Sequence, residues 1–423
     1  MKKTLIAVAS TMMLWACSSE EPAMKIDASQ ESKTISCIRT PEEAIAIAEN
    51  LAAATANESR SASKAVDASS LKVIGTNTSR SNADTLIYAI DYADNAGFVL
   101  ISAKKSTEPI LAVIDNGSYD ETDPLDNTGY QLFMESAKNY VTNAPTKVEI
   151  EPGREDFRLV QYVDTTYTLY ANKARVSVGW HQAWPENKFC PNKIAGCGPV
   201  AIAQILSHFK PNIDINLTFN ERPYDHLTID WNEINKHVTS IRIIEPTELE
   251  KDSHILSCNA SSDNHTKLAA LIREIGELGD CSYGQNNTGI NEYNAIRVLE
   301  SFLSNKTGEL VSASQFYSKL QSNGVGLVFG LDADEGGHIW VADGTAYCIK
   351  HINTYYNYCP TTKEYDYKDV KNVTSNYIHY NWGAAGKYNG YFLENVFDPS
   401  KSSNMFTAWS RYNFSYTYAY IYY

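Results

Sequence analysis

The chain has 423 residues, 43% of them hydrophobic, and a formal net charge of −14. Because domains usually run to about 100–200 residues, this length predicts two domains or three. The acidic balance, without any basic block, argues against a nucleic-acid partner, since phosphate binding requires clustered lysine and arginine.

Residues 1–17 have the pattern of a lipoprotein-type export signal. A positively charged start precedes an apolar stretch, 5–16, that is too short to span a bilayer as a helix. The stretch ends at Cys17 in a sequence that resembles a bacterial lipobox, which predicts cleavage before Cys17 and a lipid anchor on it. The expected location is the bacterial outer membrane or cell surface, with or without release after maturation. Trp15 is unusual at its position, so a plain secretory signal with an unmodified Cys17 stays open.

The eight cysteines predict at least one free thiol. If Cys17 is lipidated, an odd number remains, and an odd cysteine stays free unless two chains pair. No spacing is C-x-x-C and no histidine lies at zinc-finger spacing, so neither a metal site nor a cofactor is expected. Cys348 and Cys359 flank a tyrosine-rich segment that they are able to bridge, but the sequence leaves that pairing open.

Residues 18–38 are polar and predict a linker, and residues 39–145 predict a small α+β unit. A helix starts at Thr40-Pro41-Glu42-Glu43, where a capping hydroxyl, a first-turn proline and a carboxylate three residues on coincide. Further along, the pattern predicts a loose excursion over 56–84, strands at 86–92, 98–103 and 110–114, and a helix at 128–141. The unit holds no cluster of catalytic residue types, and residues 146–159 predict a second linker.

From residue 160 to the end, the pattern predicts short strands with two helical stretches, 199–209 and about 290–304. The sharpest local feature is Cys197, which lies between Gly196 and Gly198 and just before the first helix. A helix N-terminus favours thiolate over thiol, so this cysteine is a candidate nucleophile. The alternative is a small apolar cysteine packed at a helix start.

A nucleophilic thiol requires an imidazole, and His338 is the best candidate. The glycines before it let a loop enter a strand over 338–342, with 326–331 as the partner strand and Asp343-Gly344 as a turn. His208 lies eleven residues beyond Cys197 on the same helix and is out of reach.

Three other histidines are weaker candidates for the base: His181, His351 and His379. A lone strand histidine is more often a structural residue, and His338 is preferred because of what accompanies it. Asn381-Trp382 is suited to orienting an imidazole and shielding it from water, and the Gln182 amide is suited to an oxyanion hole with the Cys197 N–H.

The order of these residues resembles a papain-type thiol peptidase, and the motifs resemble the streptopain family. The matching stretches are Gln182-Ala183-Trp184-Pro185-Glu186-Asn187, Ala195-Gly196-Cys197, Val200-Ala201-Ile202-Ala203-Gln204-Ile205, Cys281-Ser282-Tyr283-Gly284, Gly337-His338-Ile339-Trp340-Val341-Ala342-Asp343-Gly344, Asn381-Trp382-Gly383 and Gly390-Tyr391-Phe392. The N-terminal unit resembles the family's propeptide domain through Gly97-Phe98-Val99-Leu100-Ile101-Ser102-Ala103 and Pro109-Ile110-Leu111-Ala112.

The resemblance implies an α+β fold: a papain-like peptidase domain over 160–423, with a helical part and an antiparallel β part, preceded by a prodomain over 39–145. It implies a cysteine endopeptidase made as a zymogen, acting on protein or peptide substrates. Cys197 is implied as the nucleophile and His338 as the general acid and base, with Gln182 in the oxyanion hole. Asn381 and Trp382 orient and shield the imidazole. The prodomain is implied to block the cleft as an intramolecular inhibitor until cleavage within about 143–165.

Two departures keep alternatives open. The family pattern often carries a second tryptophan where this chain has Ala384, and a tyrosine-rich insertion at 347–377 is a candidate for a loop that restricts the cleft. They motivate a binding or adhesion lipoprotein that keeps the fold without turnover. A thiol acyltransferase of the transglutaminase type uses the same residues, but the propeptide-like unit disfavours it.

Overall fold

The structure is a computed structural model, and the part of the chain that it describes consists of residues 35–36, 38–58, 64–75, 85–121, 127–144, 147–148, 160–219, 222–236, 239–240, 257–258, 262–285, 287–311, 313–332, 336–356, 362–363, 367–396 and 418–423. The predicted export signal with Cys17 lies outside these residues, as do Cys359, nearly all of the linker 18–38 and most of the linker 146–159.

The described residues form seven α-helices: α1 (Pro41–Glu58), α2 (Thr128–Asn143), α3 (Cys197–Phe209), α4 (Trp231–Ile234), α5 (Ser262–Leu278), α6 (Glu292–Phe302) and α7 (Ala313–Gln321). They also form nineteen strands: β1 (Ile35–Ser36), β2 (Lys72–Gly75), β3 (Thr85–Asp91), β4 (Phe98–Ser102), β5 (Ile110–Ile114), β6 (Lys147–Val148), β7 (Val160–Ala171), β8 (Asp214–Phe219), β9 (Arg222–Thr228), β10 (Thr239–Ser240), β11 (Ser257–Cys258), β12 (Ser282–Tyr283), β13 (Thr288–Gly289), β14 (Gly308–Val311), β15 (Val325–Asp332), β16 (Gly336–Tyr356), β17 (Tyr367–Asn381), β18 (Gly390–Leu393) and β19 (Tyr418–Tyr422). The predicted α+β class is confirmed.

The N-terminal unit forms largely as its local pattern predicts. The Thr40 N–H donates to Glu43 Oε2 at 2.9 Å and the Glu43 N–H donates to Thr40 Oγ1 at 3.3 Å, which completes the capping box of α1. The predictions of β3, β4, β5 and α2 are confirmed. The prediction of a loose excursion over 56–84 is wrong in part, because this stretch contains β2, which pairs with β3.

One antiparallel sheet runs through both units. Its strand order is β14-β19-β15-β16-β17-β18-β5-β4-β3-β2, and β7 also pairs with β16. The two units meet where β18 pairs with β5, with Tyr391 opposite Val113 and Phe392 opposite Ala112. The N-terminal unit therefore extends the sheet of the C-terminal unit and covers what is otherwise an edge of that sheet.

The second half departs from the predicted short strands and two helices. α3 and α6 are confirmed, but α5 and α7 were not predicted, and β16 is 21 residues long. The predicted turn at Asp343-Gly344 is wrong: the ladder with β17 is only shifted between Ala342 and Gly344, and β16 continues to Tyr356. The described part of residues 347–377 does not form a loop over the cleft. It belongs to the β16–β17 hairpin, in which Tyr347 lies opposite Asn376 and Tyr356 opposite Tyr367. β7 pairs with the other edge of β16 over the same stretch.

Buried side chains form two clusters. One joins α1, α2 and α7 to the sheet and contains Trp340, Trp382 and Phe392. The other packs α3, α5 and α6 against the opposite face of the sheet. No helix in the described part of the chain is long and apolar enough to cross a membrane.

Candidate active site

Cys197 is the first residue of α3, and close backbone packing fixes its position. Gly196, before it, has φ 90°, in the left-handed region that favours glycine, and a Cβ there would lie 2.9 Å from Thr288 Cγ2. A Cβ on Gly198 would collide with Ile290. Both predicted glycines therefore fit where a side chain does not, because Thr288 and Ile290, in and just after β13, touch them directly.

His338 lies in β16 beside Cys197, as the sequence predicts. Burial raises the pKa of the Cys197 thiol, but the charge of His338 and its hydrogen bond to the sulfur oppose this, helped by the N–H groups of Ile339 and Gly198. The balance lowers the pKa of Cys197 below its ordinary value. The imidazole and the two N–H groups thus favour the thiolate form of Cys197.

The other described free cysteines have the opposite character. Burial raises the pKa of Cys190, Cys281 and Cys348 to about 12. Because the thiolate is the nucleophile, Cys197 is the one among these four whose pKa is shifted toward reactivity.

Gln182 lies in the segment that runs up to Cys197. Its backbone carbonyl accepts a hydrogen bond of 2.9 Å from the Ala195 N–H, two residues before the nucleophile. Trp184 follows it, is 38% exposed, and packs edge-on against His265 with ring centroids 5.4 Å apart. The backbone of Gln182 is therefore tied to the segment that ends at Cys197, and the exposed Trp184 is an aromatic side chain to which the sequence pattern gave no role.

Asn381 is buried at the end of β17, and its hydrogen bonds do not go to His338. Its Nδ2 donates to the Val178 carbonyl at 2.7 Å, and its Oδ1 accepts from the Gly383 N–H at 3.3 Å. His338 Nε2 is buried without a hydrogen-bond partner among the described residues. The predicted contact between Asn381 and the imidazole is therefore not present in this form of the protein, in which the N-terminal unit is docked.

Aromatic rings surround the imidazole. Trp340 is stacked with His338, with ring centroids 6.0 Å apart, and Trp382 lies against Trp340 at 5.5 Å. Trp382 Nε1 donates to the Tyr388 carbonyl at 2.9 Å, which fixes the indole. Ala384, at the place where the resembled family pattern often carries a tryptophan, is buried in the same loop. Alternation along β16 predicts that Trp340 shares the face of His338, although its stacking was not foreseen.

The N-terminal unit reaches this site directly. Gly129, in the first turn of α2, lies so close that a Cβ there would be 3.0 Å from Trp382 Cζ3 and 3.1 Å from His338 Cδ2. Asn127 caps α2 by accepting from the Tyr130 N–H at 3.0 Å, and its Nδ2 donates to the Lys387 carbonyl at 3.0 Å. The start of α2 therefore covers the imidazole side of the site.

His379, a weaker candidate for the base, has a different place. Its Nδ1 lies 2.5 Å from Asp343 Oδ1 and its Nε2 lies 2.9 Å from Asp115 Oδ2, so both ring nitrogens are occupied. Burial lowers the pKa of His379, but the two carboxylates outweigh it and raise this pKa to about 10. Since Asp115 belongs to the N-terminal unit, His379 is part of the contact between the two units.

The three other histidines considered from the sequence bond to the protein backbone or to an asparagine side chain. His208 bonds the Arg175 carbonyl through Nδ1 at 3.2 Å, and His351 Nδ1 lies 3.0 Å from Asn372 Oδ1. His181 Nδ1 accepts from the Ala183 N–H at 2.9 Å. Within the described ranges, no group of histidine, cysteine and acidic side chains is arranged to hold a metal ion.

The chain is similar to known proteins in two separate stretches. Residues 180–392 match the model of the peptidase C10 family, and residues 36–141 match that of the Spi protease inhibitor. No curated protein matches the chain.

Two solved structures are similar over longer stretches. A fragment of Prevotella intermedia prointerpain A is 17% identical, with a TM-score of 0.49, and the match covers 83% of this chain and 98% of that one. The active wild-type Prevotella intermedia interpain A cysteine protease is 17% identical, with a TM-score of 0.34, and the match covers 59% of this chain and 94% of that one.

Proposed function

The chain belongs to the peptidase C10 family, and we propose that it cleaves peptide bonds with Cys197 as the nucleophile and His338 as the general acid and base. Family membership makes it a cysteine peptidase, and the inhibitor-type N-terminal unit, called the prodomain below, makes it a zymogen. The observation that carries the assignment of residues is the lowered pKa of Cys197 beside His338, at the start of a buried helix.

In this proposal the Cys197 thiolate attacks the scissile carbonyl carbon, and the carbonyl electrons move to the oxygen. The Cys197 N–H and the Gln182 amide donate to that oxyanion. When it collapses, the carbon–nitrogen bond breaks and His338 gives its proton to the leaving amine. His338 then takes a proton from water, whose hydroxide displaces the thiolate from the thioester and leaves a carboxylic acid.

The prodomain supports the zymogen side of the proposal through its position. α2 places Gly129 against His338 and Trp382, so the start of this helix occupies the space beside the imidazole. Cleavage was expected within 143–165, but residues from Val160 onwards pair with β16. We therefore place the maturation site before β7.

The lipid anchor at Cys17 and the location outside the cell rest on the sequence alone, since residues 1–34 lie outside the described residues. Cys17→Ala is expected to move the protein from the membrane fraction to the soluble fraction of a bacterial host and to abolish incorporation of a labelled fatty acid. An unchanged distribution would overturn the anchor and leave the peptidase assignment intact.

The test of the residues uses the chain from residue 18 onwards with wild-type sequence, Cys197→Ala and His338→Ala. Wild type is expected to convert itself to a fragment of about 160–423 and to react once with a peptidyl epoxide, while both variants do neither. Cys281→Ala is the matched control, because this half-buried thiol has a raised pKa and is expected to change nothing. Normal maturation and labelling of the Cys197→Ala chain would overturn the assignment.

Mass spectrometry of products in the presence of an added amine separates hydrolysis from acyl transfer. Free carboxylate products are expected, and amide products would support the acyltransferase alternative. A wild-type chain that binds proteins but cleaves none would support the binding lipoprotein.

A further inference from the structure

The chain between β7 and α3 has no strand partner, although it carries Gln182 into the site. Residues 175–182, called the arm here, belong to no helix or strand. A buried backbone outside regular structure still requires hydrogen-bond partners, because an unpaired N–H or C=O costs free energy. The arm finds its partners among side chains.

Three buried side chains bond to alternate residues of the arm. Val176 N–H donates to Asp343 Oδ2 at 2.7 Å, and the Val178 carbonyl accepts from Asn381 Nδ2 at 2.7 Å. Trp180 N–H donates to Gln204 Oε1 at 3.2 Å. These three side chains are 0–1% exposed, so water has no access to replace them.

Gln204 connects the arm to the helix of the nucleophile. It lies seven residues after Cys197 on α3, which is about two helical turns and returns to nearly the same face. The opposite side of the arm is tied as well, because the Ala385 N–H donates to the Trp180 carbonyl at 3.1 Å. Gln182 itself accepts from Ala195 at 2.9 Å. The backbone is therefore fixed on both sides, two residues before Gln182.

We infer that Gln204 is a positioning residue that fixes the distance between the Gln182 amide and the Cys197 thiol. The inference rests on the proposed function, in which Gln182 donates to the oxyanion. Since α3 presents Cys197 at its first residue and holds Trp180 through Gln204, one rigid helix sets both partners of the oxyanion hole. Gln204 touches neither the substrate nor the reacting atoms.

Gln204 gives the cleanest test of the three side chains. Asp343 is also bonded to His379, and Asn381 also accepts from Gly383, so changing either disturbs other contacts. Gln204 Oε1 bonds the arm, and its Nε2 has no partner among the described residues. Gln204→Met removes the acceptor while keeping the length of the side chain, and Gln204→Glu keeps an acceptor oxygen.

The matched control is Ser207→Ala. Ser207 is buried on the same helix, and its hydroxyl donates to the Gln204 carbonyl at 2.6 Å, but it makes no bond to the arm. Each full-length variant is matured by a tagged wild-type enzyme that is then removed, and its active sites are titrated. The measurements are kcat and KM on a peptide substrate, the affinity for a peptide aldehyde, and the rate of alkylation by iodoacetamide against pH.

The aldehyde and iodoacetamide report on different parts of the site. An aldehyde forms a hemithioacetal whose oxygen occupies the oxyanion hole, whereas iodoacetamide requires only the thiolate. Because small misplacements in a catalytic site cost on the order of 100-fold, Gln204→Met is expected to lower kcat by about 10- to 100-fold and aldehyde affinity in parallel. KM and the alkylation profile are expected to stay within about twofold.

Gln204→Glu and Ser207→Ala are expected to keep kcat within about threefold of wild type. A Gln204→Met enzyme with unchanged aldehyde affinity, or with alkylation lost in proportion to kcat, overturns the inference. If Gln204→Met does not fold, Gln204→Glu decides alone, since a tenfold loss there contradicts the role of the acceptor.

Gln182→Ala separates this inference from the proposed function. If Gln182→Ala keeps wild-type kcat and aldehyde affinity, the oxyanion role of Gln182 is wrong and the inference falls with it. If Gln182→Ala is impaired and Gln204→Met is not, only the positioning role of Gln204 is wrong.

Discussion

Replacing Asp115 with asparagine removes one of the two carboxylates that hold His379 across the contact between prodomain and peptidase domain. Raising the pKa of His379 from 6.5 to about 10 corresponds to roughly 5 kcal/mol of interaction between the imidazolium and its surroundings. Asp343 is fully buried and supplies the larger share, while Asp115 is 39% exposed and is screened by water. We therefore expect Asp115→Asn to cost about 1–2 kcal/mol.

The cost depends on pH in a defined direction. The folded pKa of His379 lies above its ordinary value of 6.5, so the stabilisation is complete below pH 6.5 and is lost as pH rises toward 10. Three other groups face this contact. The Arg175 guanidinium donates to the Asp343 backbone carbonyl at 3.0 Å, and the Lys64 ammonium lies 3.5 Å from the Asp115 backbone carbonyl. The centroid of the Tyr391 ring lies 5.0 Å from that of the His379 imidazole. None of them takes the place of the Asp115 carboxylate.

The assay is thermal unfolding of the full chain carrying Cys197→Ala, which prevents maturation. At pH 6, Asp115→Asn is expected to lower Tm by about 2–8 °C, since each kcal/mol shifts Tm by about 2–4 °C in a domain of about 150–250 residues. At pH 9.5 the difference is expected to shrink. Asp94→Asn is the control, since it removes one exposed prodomain carboxylate away from the contact. Equal effects of the two substitutions at pH 6, or a penalty that grows with pH, would refute the reasoning.

Three further predictions concern the covered site. Gly129→Leu drives the start of α2 away from Trp382 and His338, so the full chain is expected to react with a peptidyl epoxide at least about tenfold faster; an unchanged rate would contradict the tight contact. N-terminal sequencing of the mature enzyme is expected to find a start before Val160, and a start inside β7 would show that its ladder with β16 is dispensable. His338→Ala removes the charge that lowers the pKa of Cys197, so the pH at which iodoacetamide alkylation reaches half its maximum rate is expected to rise; an unshifted profile would mean that the helix start alone activates the thiol.

Local signals in the sequence predicted the elements on which the site depends. The capping box starts α1, and Gly196 and Gly198 allow Cys197 to begin α3 in close contact with β13. Such features follow from the residues next to one another in the chain, so a single sequence suffices to find them. The same holds for His338 on a strand face shared with Trp340.

Long-range pairing explains what the sequence did not predict. Asp343-Gly344 is a turn signal by itself, but β17 and β7 extend the ladder past it, and the Asp343 carboxylate is bonded to His379 and Val176 instead of its own turn. Asn381 was expected to orient the imidazole, yet its amide bonds Val178. Asp343 lies 36 residues from His379 and 167 from Val176, and Asn381 lies 203 residues from Val178, so no local pattern records these partners.

The loop from Asn381 to Tyr388 contacts both the arm that leads to Gln182 and helix α2 of the prodomain. Its first residue holds the arm through Val178, its tryptophan packs on Gly129, and the Tyr388 ring stacks on Tyr130 of α2 at 4.3 Å. The prodomain thus rests on the same loop that orients the oxyanion side of the site, while the lowered pKa of the thiol persists beneath it. Latency is therefore expected to come from the prodomain covering the imidazole and this loop, since the pKa of Cys197 is lowered while the prodomain is still docked.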